Sequence, residues 1–108
     1  MEKLPIPQAD LVARRELSLT GSSEKVVVEI GRPRQADTGE AVCPYRFIYN
    51  GRTIGMDISG EDTFQALQLA LYLLPVELRH RSDLPVGELY WLEPGDDLGF
   101  PEKARPND

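Results

Sequence analysis

Three carboxylates, Glu93, Asp96 and Asp97, crowd the end of the chain beside its only tryptophan, Trp91. Hard cations such as Ca²⁺ and Mg²⁺ take clustered oxygen ligands, so a metal-binding loop is one reading of this segment. The spacing does not follow the helix–loop–helix calcium pattern. Pro94 and Gly95 suit the central positions of a type II turn, with both aspartates just beyond it. The turn is the stronger reading, and it leaves the three carboxylates on an exposed rim where a basic partner can reach them.

Other reactive side chains are few. His80 is the sole histidine and stands between Arg79 and Arg81, where a cationic cluster suits the negative end of a helix dipole. Cys43 is the sole cysteine, which excludes an internal disulfide and a cysteine-based zinc cluster. It reads as a small buried hydrophobe on a strand, and nothing in the sequence brings it to His80. The pairs Arg32/Arg34 and Arg79/Arg81 could grip a phosphate, though a solvated loop and a helix terminus account for them as well. No nucleophile elbow, phosphate loop, dinucleotide fingerprint or zinc-protease motif occurs. The expectation is a protein that is not an enzyme and needs neither cofactor nor metal.

The totals narrow the field further. A chain of 108 residues is enough for one core. A net charge of −6 argues against a nucleic-acid binder, whose surface must neutralise phosphates. No apolar run approaches the length of a membrane span. MEKLPIPQAD has prolines where a secretory signal needs an apolar stretch, so a cytoplasmic location is expected.

The elements that must position these residues follow from periodicity. Residues 11–20 and 25–32 read as strands, joined by turn chemistry at residues 21–24. Residues 31–42 carry Gly, Pro and Asp without periodicity and read as the longest loop. Strands over 43–49 and 52–59 flank Asn50-Gly51, the strongest short hairpin signal. Ser59 to Asp62 has the form of a capping box. After it, Phe64, Leu67, Leu71, Leu74 and Leu78 fall on one helical stripe, flanked by Ala66 and Ala70. Pro75 should kink or break that helix. A last short strand is expected over 88–92, followed by a clasp in which Leu98 and Phe100 turn back to the core and Gly99 lets the backbone pass close.

The order β-β-β-β-α-β predicts an α+β fold: an antiparallel sheet of four to five strands with one long amphipathic helix on one face. Residues 11–101 form the single domain, and 1–10 and 102–108 are expected to be loose ends. Alternation puts Val12, Arg14, Glu16, Val27, Glu29, Arg46, Ile48, Thr53 and Asp57 on the face away from the helix. With no second helix to cover it, that face is either solvated or an interface.

VVVEIGRPR, CPYR, TFQALQLAL and above all LYWLEPGDDLGFP resemble a family of small bacterial proteins known only as a domain of unknown function. The resemblance spans roughly residues 13–101 and implies no activity or catalytic residue. The small acidic α+β design is also similar in style to bacterial immunity proteins, by architecture alone. The function expected is a protein-binding module of inhibitor or immunity type. Its candidate contact residues are Trp91, Glu93, Asp96, Asp97, Val27, Ile48 and Arg46. The rivals are a small-ligand or metal site between loops 31–42 and 93–101, and a homodimer with no other activity.

Overall fold

The computed structural model describes residues 2–101. An open antiparallel sheet is built from β1 (Leu11–Leu19), β2 (Lys25–Gly31), β3 (Arg34–Gln35), β4 (Ala41–Tyr49), β5 (Arg52–Gly60) and β6 (Leu89–Tyr90), with one helix, α1 (Thr63–His80), packed against it. The spatial order is β6–β1–β2–β4–β5, and β3 pairs with the start of β4 beyond the end of β2. The architecture is the expected α+β one, with six strands because two short pieces, β3 and β6, join the ladder.

The β4–β5 hairpin forms where its turn demands it. Asn50 and Gly51 have φ of 53° and 78°, the two positive values of a type I′ turn, and β4 pairs with β5 from Tyr49↔Arg52 to Ala41↔Gly60. The stretch read as loop 31–42 is partly strand. Arg34 and Gln35 pair with Val42 and Ala41, because the 36–40 turn folds the chain back on itself.

The helix differs from its pattern in three respects. Its N-cap is Asp62, three residues after the expected Ser59: Asp62 Oδ1 accepts from Gln65 N–H (2.7 Å) while Gln65 Oε1 accepts from Glu61 N–H (2.7 Å). It passes through Pro75 without a break and restart, held across the lost bond by the burial of Leu74, Pro75 and Leu78. Its buried face is Ala66, Ala70, Leu74 and Leu78, whereas Phe64 and Leu71 from the expected stripe are 69% and 39% exposed. The cause is proximity. A Cβ at Gly60 would lie 2.5 Å from Ala66 N, so the helix rests its backbone on the strand and only small residues fit beneath its first turns.

The core lies between α1 and the sheet, and includes Leu17, Leu19, Val26, Val28, Tyr45, Phe47, Ile54 and Ile58. On the outer face the chain's own beginning supplies cover. Lys3 N–H donates to Thr53 O (2.7 Å), and Ile6 is 9% exposed, its Cγ2 3.2 Å from where a Cβ at Gly31 would stand. Residues 2–10, expected to be a loose end, are therefore bonded to the sheet. The expectation for 102–108 falls outside the described residues.

Candidate functional site

Parity along β1 puts Arg15 on the same face as Leu17 and Leu19, an unusual place for a charge. Its guanidinium carbon lies 3.7 Å from the Trp91 ring centroid and 5.0 Å from that of Phe100. Nη1 donates to Leu98 O (3.0 Å) and Gly99 O (2.9 Å). One strand arginine thus fastens the C-terminal clasp to the sheet with two hydrogen bonds and two aromatic faces. Among the described residues no carboxylate pairs with it, and its Nε and Nη2 have no hydrogen-bond partner.

The clasp is organised from within by Asp96. Its carboxylate accepts from the backbone N–H of Leu92 (2.8 Å), Trp91 (3.0 Å), Glu93 (3.1 Å) and Leu98 (3.1 Å). These donors stabilise the ionised form, Leu92 most, and lower its pKa from 3.8 to about 2. The Pro94–Gly95 turn closes with Asp96 N–H donating to Glu93 O (3.2 Å). Leu98, at φ 70°, is held in the left-handed region by the Asp96 and Arg15 bonds and is buried. Gly99 follows at φ 71°, where a Cβ would meet the Trp91 ring at 2.2 Å.

The expected rim of free carboxylates is therefore corrected at Asp96, while Glu93 and Asp97 stay exposed. Asp96 is committed to its own loop, and Asp97 Oδ1 accepts from Gly99 N–H (3.0 Å), because a left-handed turn leaves several N–H groups to be satisfied locally. The Glu93 side chain stays exposed. Trp91 is half-buried against the core and Arg15.

Three other candidate contact residues lie on the opposite face of the sheet. Val27 and Ile48 are cross-strand neighbours, and Glu16 pairs with Val27 from β1. Arg46 is corrected from a face residue to a buried fastener. Its Nε donates to Leu4 O (2.9 Å), Nη1 to Tyr45 O (2.8 Å) and Met56 O (3.0 Å), and Nη2 to Asp57 Oδ1 (2.8 Å). The seven residues do not form one site.

The remaining reactive groups are occupied structurally. Cys43 is fully buried, its thiol pushed up to about 11 by desolvation, with Sγ donating to Gly31 O (3.4 Å). His80 is exposed, its Nδ1 2.8 Å from Val76 O. Arg32 bonds Asp10, and Arg81 bridges Glu77 and Asp83, while the Tyr45 hydroxyl donates to Glu77. Among the described residues no three His, Cys, Asp or Glu side chains are grouped to hold a metal ion. The two loops of the small-ligand reading line separate concavities. Gly39 and Glu40 border an open polar one with Gly60 and Gln65, and Gly99 to Pro101 border an apolar one.

That apolar concavity is a groove of about 160 Å³ between α1 and the clasp. Ala13, Val28 and Ile30 line it from the sheet, Leu71 and Leu74 from the helix, and Phe100 and Pro101 from the clasp, with Arg15 among them. Phe64 and Leu67 continue the Leu71 edge of the helix at i−7 and i−4. Sequence reasoning missed Arg15 and misassigned Phe64. For Arg15 the available signal was its parity, a lone charge on the core side of a strand.

A small open-sheet α+β domain with a fastened C-terminal clasp is the class that this geometry defines. The chain belongs to the family described as a domain of unknown function (DUF6968), whose model matches residues 13–102, from the middle of β1 through the clasp. No curated protein and no solved structure matches the chain. No helix among the described residues is long and apolar enough to cross a membrane.

Proposed function

We propose that the domain is a non-enzymatic protein-binding module whose docking surface is the groove between α1 and the clasp. The observation that carries this reading is the apolar edge Phe64–Leu67–Leu71. Phe64 is 69% exposed and Leu71 39%, beside a groove lined by aliphatic side chains. Contiguous exposed apolar surface of this kind marks interaction sites, and a buried aromatic anchor is a common centre of binding energy. Exposed carboxylates stand nearby: Glu61 precedes Phe64 by three residues, and Glu93 and Asp97 lie on the clasp. Together with the net charge of −6 they favour a partner that presents an apolar anchor among basic residues.

Affinity capture with three forms of the protein tests this reading. Wild type and the outer-face variant Val27→Glu/Ile48→Glu should retain the same partner, with retention weakened by salt. Phe64→Glu/Leu71→Glu should lose it with an unchanged melting temperature. Loss with the outer-face variant instead would move the interface to the other side of the sheet, and self-association seen by sedimentation would identify the partner as a second copy.

A further inference from the structure

The groove has an unusual end group. Arg15 is the guanidinium that lines it, and two of its three nitrogens make no bond to the described residues. The domain is rich in carboxylates, and Arg14, Arg32, Arg46, Arg52 and Arg81 each pair with one. Arg15, like Arg34 and Arg79, has no carboxylate partner among the described residues, and of these three it is the one that lines the groove. Its cation is held in place by carbonyls and ring faces, which fix the position of the charge, and no described carboxylate neutralises it. With Nη1 turned to Leu98 O and Gly99 O, no described residue takes the Nε–Nη2 edge. That edge is the two-donor fork that matches a carboxylate.

We propose that the groove takes the C-terminal residue of a partner polypeptide, with the apolar side chain between Leu71, Ile30 and Phe100 and the α-carboxylate on the Nε–Nη2 edge of Arg15. The inference rests on the groove reading above and specifies its occupant. Three features converge on it: a concavity of one side chain's scale, an apolar lining, and a fixed cation with an open fork at the same place. Capture of a chain terminus is an established mode of peptide recognition. Basic residues just before that terminus would face the acidic surface at Glu93 and Asp97 and offset the repulsion between the acidic domain and the carboxylate.

The test uses the full chain and two synthetic peptides, acetyl-Lys-Lys-Ser-Ala-Leu with a free C-terminus and the same peptide as its C-terminal amide. Trp91 supplies the signal, since it is the sole tryptophan and its ring stacks on Arg15. The free acid should change Trp91 emission saturably and shift NMR resonances of Leu71 and Ile30. Amidation should weaken binding by about tenfold or more, the loss expected for a charge-assisted fork. Arg15→Lys, which keeps the charge and loses the fork, should abolish the difference in affinity between the acid peptide and its amide, read from the Leu71 and Ile30 resonances. Equal binding of acid and amide overturns the terminus proposal and leaves the groove reading standing. Binding of neither overturns the proposal as well, and the fate of the groove reading then rests on the Phe64/Leu71 capture result. Hexanoate binding as tightly as the peptide identifies a small carboxylic acid as the ligand and overturns a polypeptide one. The same emission change from Glu102→Gln without peptide would assign the fork to the chain itself, and a polypeptide partner is again overturned.

Discussion

The two halves of the sheet are covered by different means. Over β4 and β5 lies α1, a regular element with Ala66, Ala70, Leu74 and Leu78 buried against the strands. Over β1 and β2 lies the clasp, a loop whose shape depends on Asp96, on the left-handed pair Leu98–Gly99 and on Arg15. The helix satisfies its own backbone and needs only an apolar face to dock. The clasp satisfies its backbone through two charged side chains and gains less burial from Leu98 and Phe100. A self-sufficient element seals its half, whereas a loop held by polar fastenings leaves a seam. That seam is the groove.

If this contrast is right, the largest effect should come from the helix half. Leu78→Ala removes a fully buried side chain from a rigid interface and should cost about 2–5 kcal/mol in urea unfolding, because the site cannot collapse. Leu98→Ala should cost less, since the clasp can part from the sheet locally. Hydrogen exchange would report this as an opening at residues 91–99 below the global free energy. Equal costs would mean that the clasp is as integral as the helix.

Gly99→Ala comes next. It places a Cβ at 2.2 Å from the Trp91 ring and an L residue at φ 71°, for a loss of about 1–3 kcal/mol. The damage should fall on the clasp, with Trp91 emission changed and far-UV circular dichroism preserved. An unaltered emission spectrum would contradict the close passage of Gly99 against the Trp91 ring.

The smallest effect is a pH dependence. Asp96 titrates lower in the folded chain than in the unfolded one, so its stabilising contribution is fully present above about pH 4 and is lost as pH falls through about 2. Trp91 emission should follow that window before the helix signal does. Asp96→Asn should remove the step and loosen the clasp at neutral pH, because an amide accepts backbone N–H groups less strongly than a carboxylate. An Asp96→Asn protein that keeps both the step and the emission would show that Asp96 does not organise the loop.

How much of this is legible in the sequence depends on the range of the interactions. The Asn50–Gly51 turn and the Pro94–Gly95 reversal are readable, because their backbone angles are set by neighbouring residues. So is the inward return of Leu98 and Phe100, and with it the close passage at Gly99. Periodicity also locates α1 but chooses the wrong edge for burial, since hydrophobic size favours Phe64 and Leu71 while close packing at Gly60 requires Ala66. The functional residues are less legible. Alternation makes Arg46 a surface charge, yet it is buried, and turn chemistry makes Asp96 a free carboxylate, yet N–H donors saturate it.

The sequence by itself determined the α+β order, the central hairpin and the clasp, all of which rest on local angles and alternation. Tertiary structure decided which polar groups are free. Arg15 and Arg46 each meet carbonyls far along the chain, Leu98 and Gly99 in one case and Leu4 in the other. A one-dimensional pattern carries no signal for such pairings, because a carbonyl acceptor is present at every residue and only the fold selects one. The same selection gives the Arg15 edge no partner among the described residues, beside an apolar groove where the helix, β1 and the clasp meet.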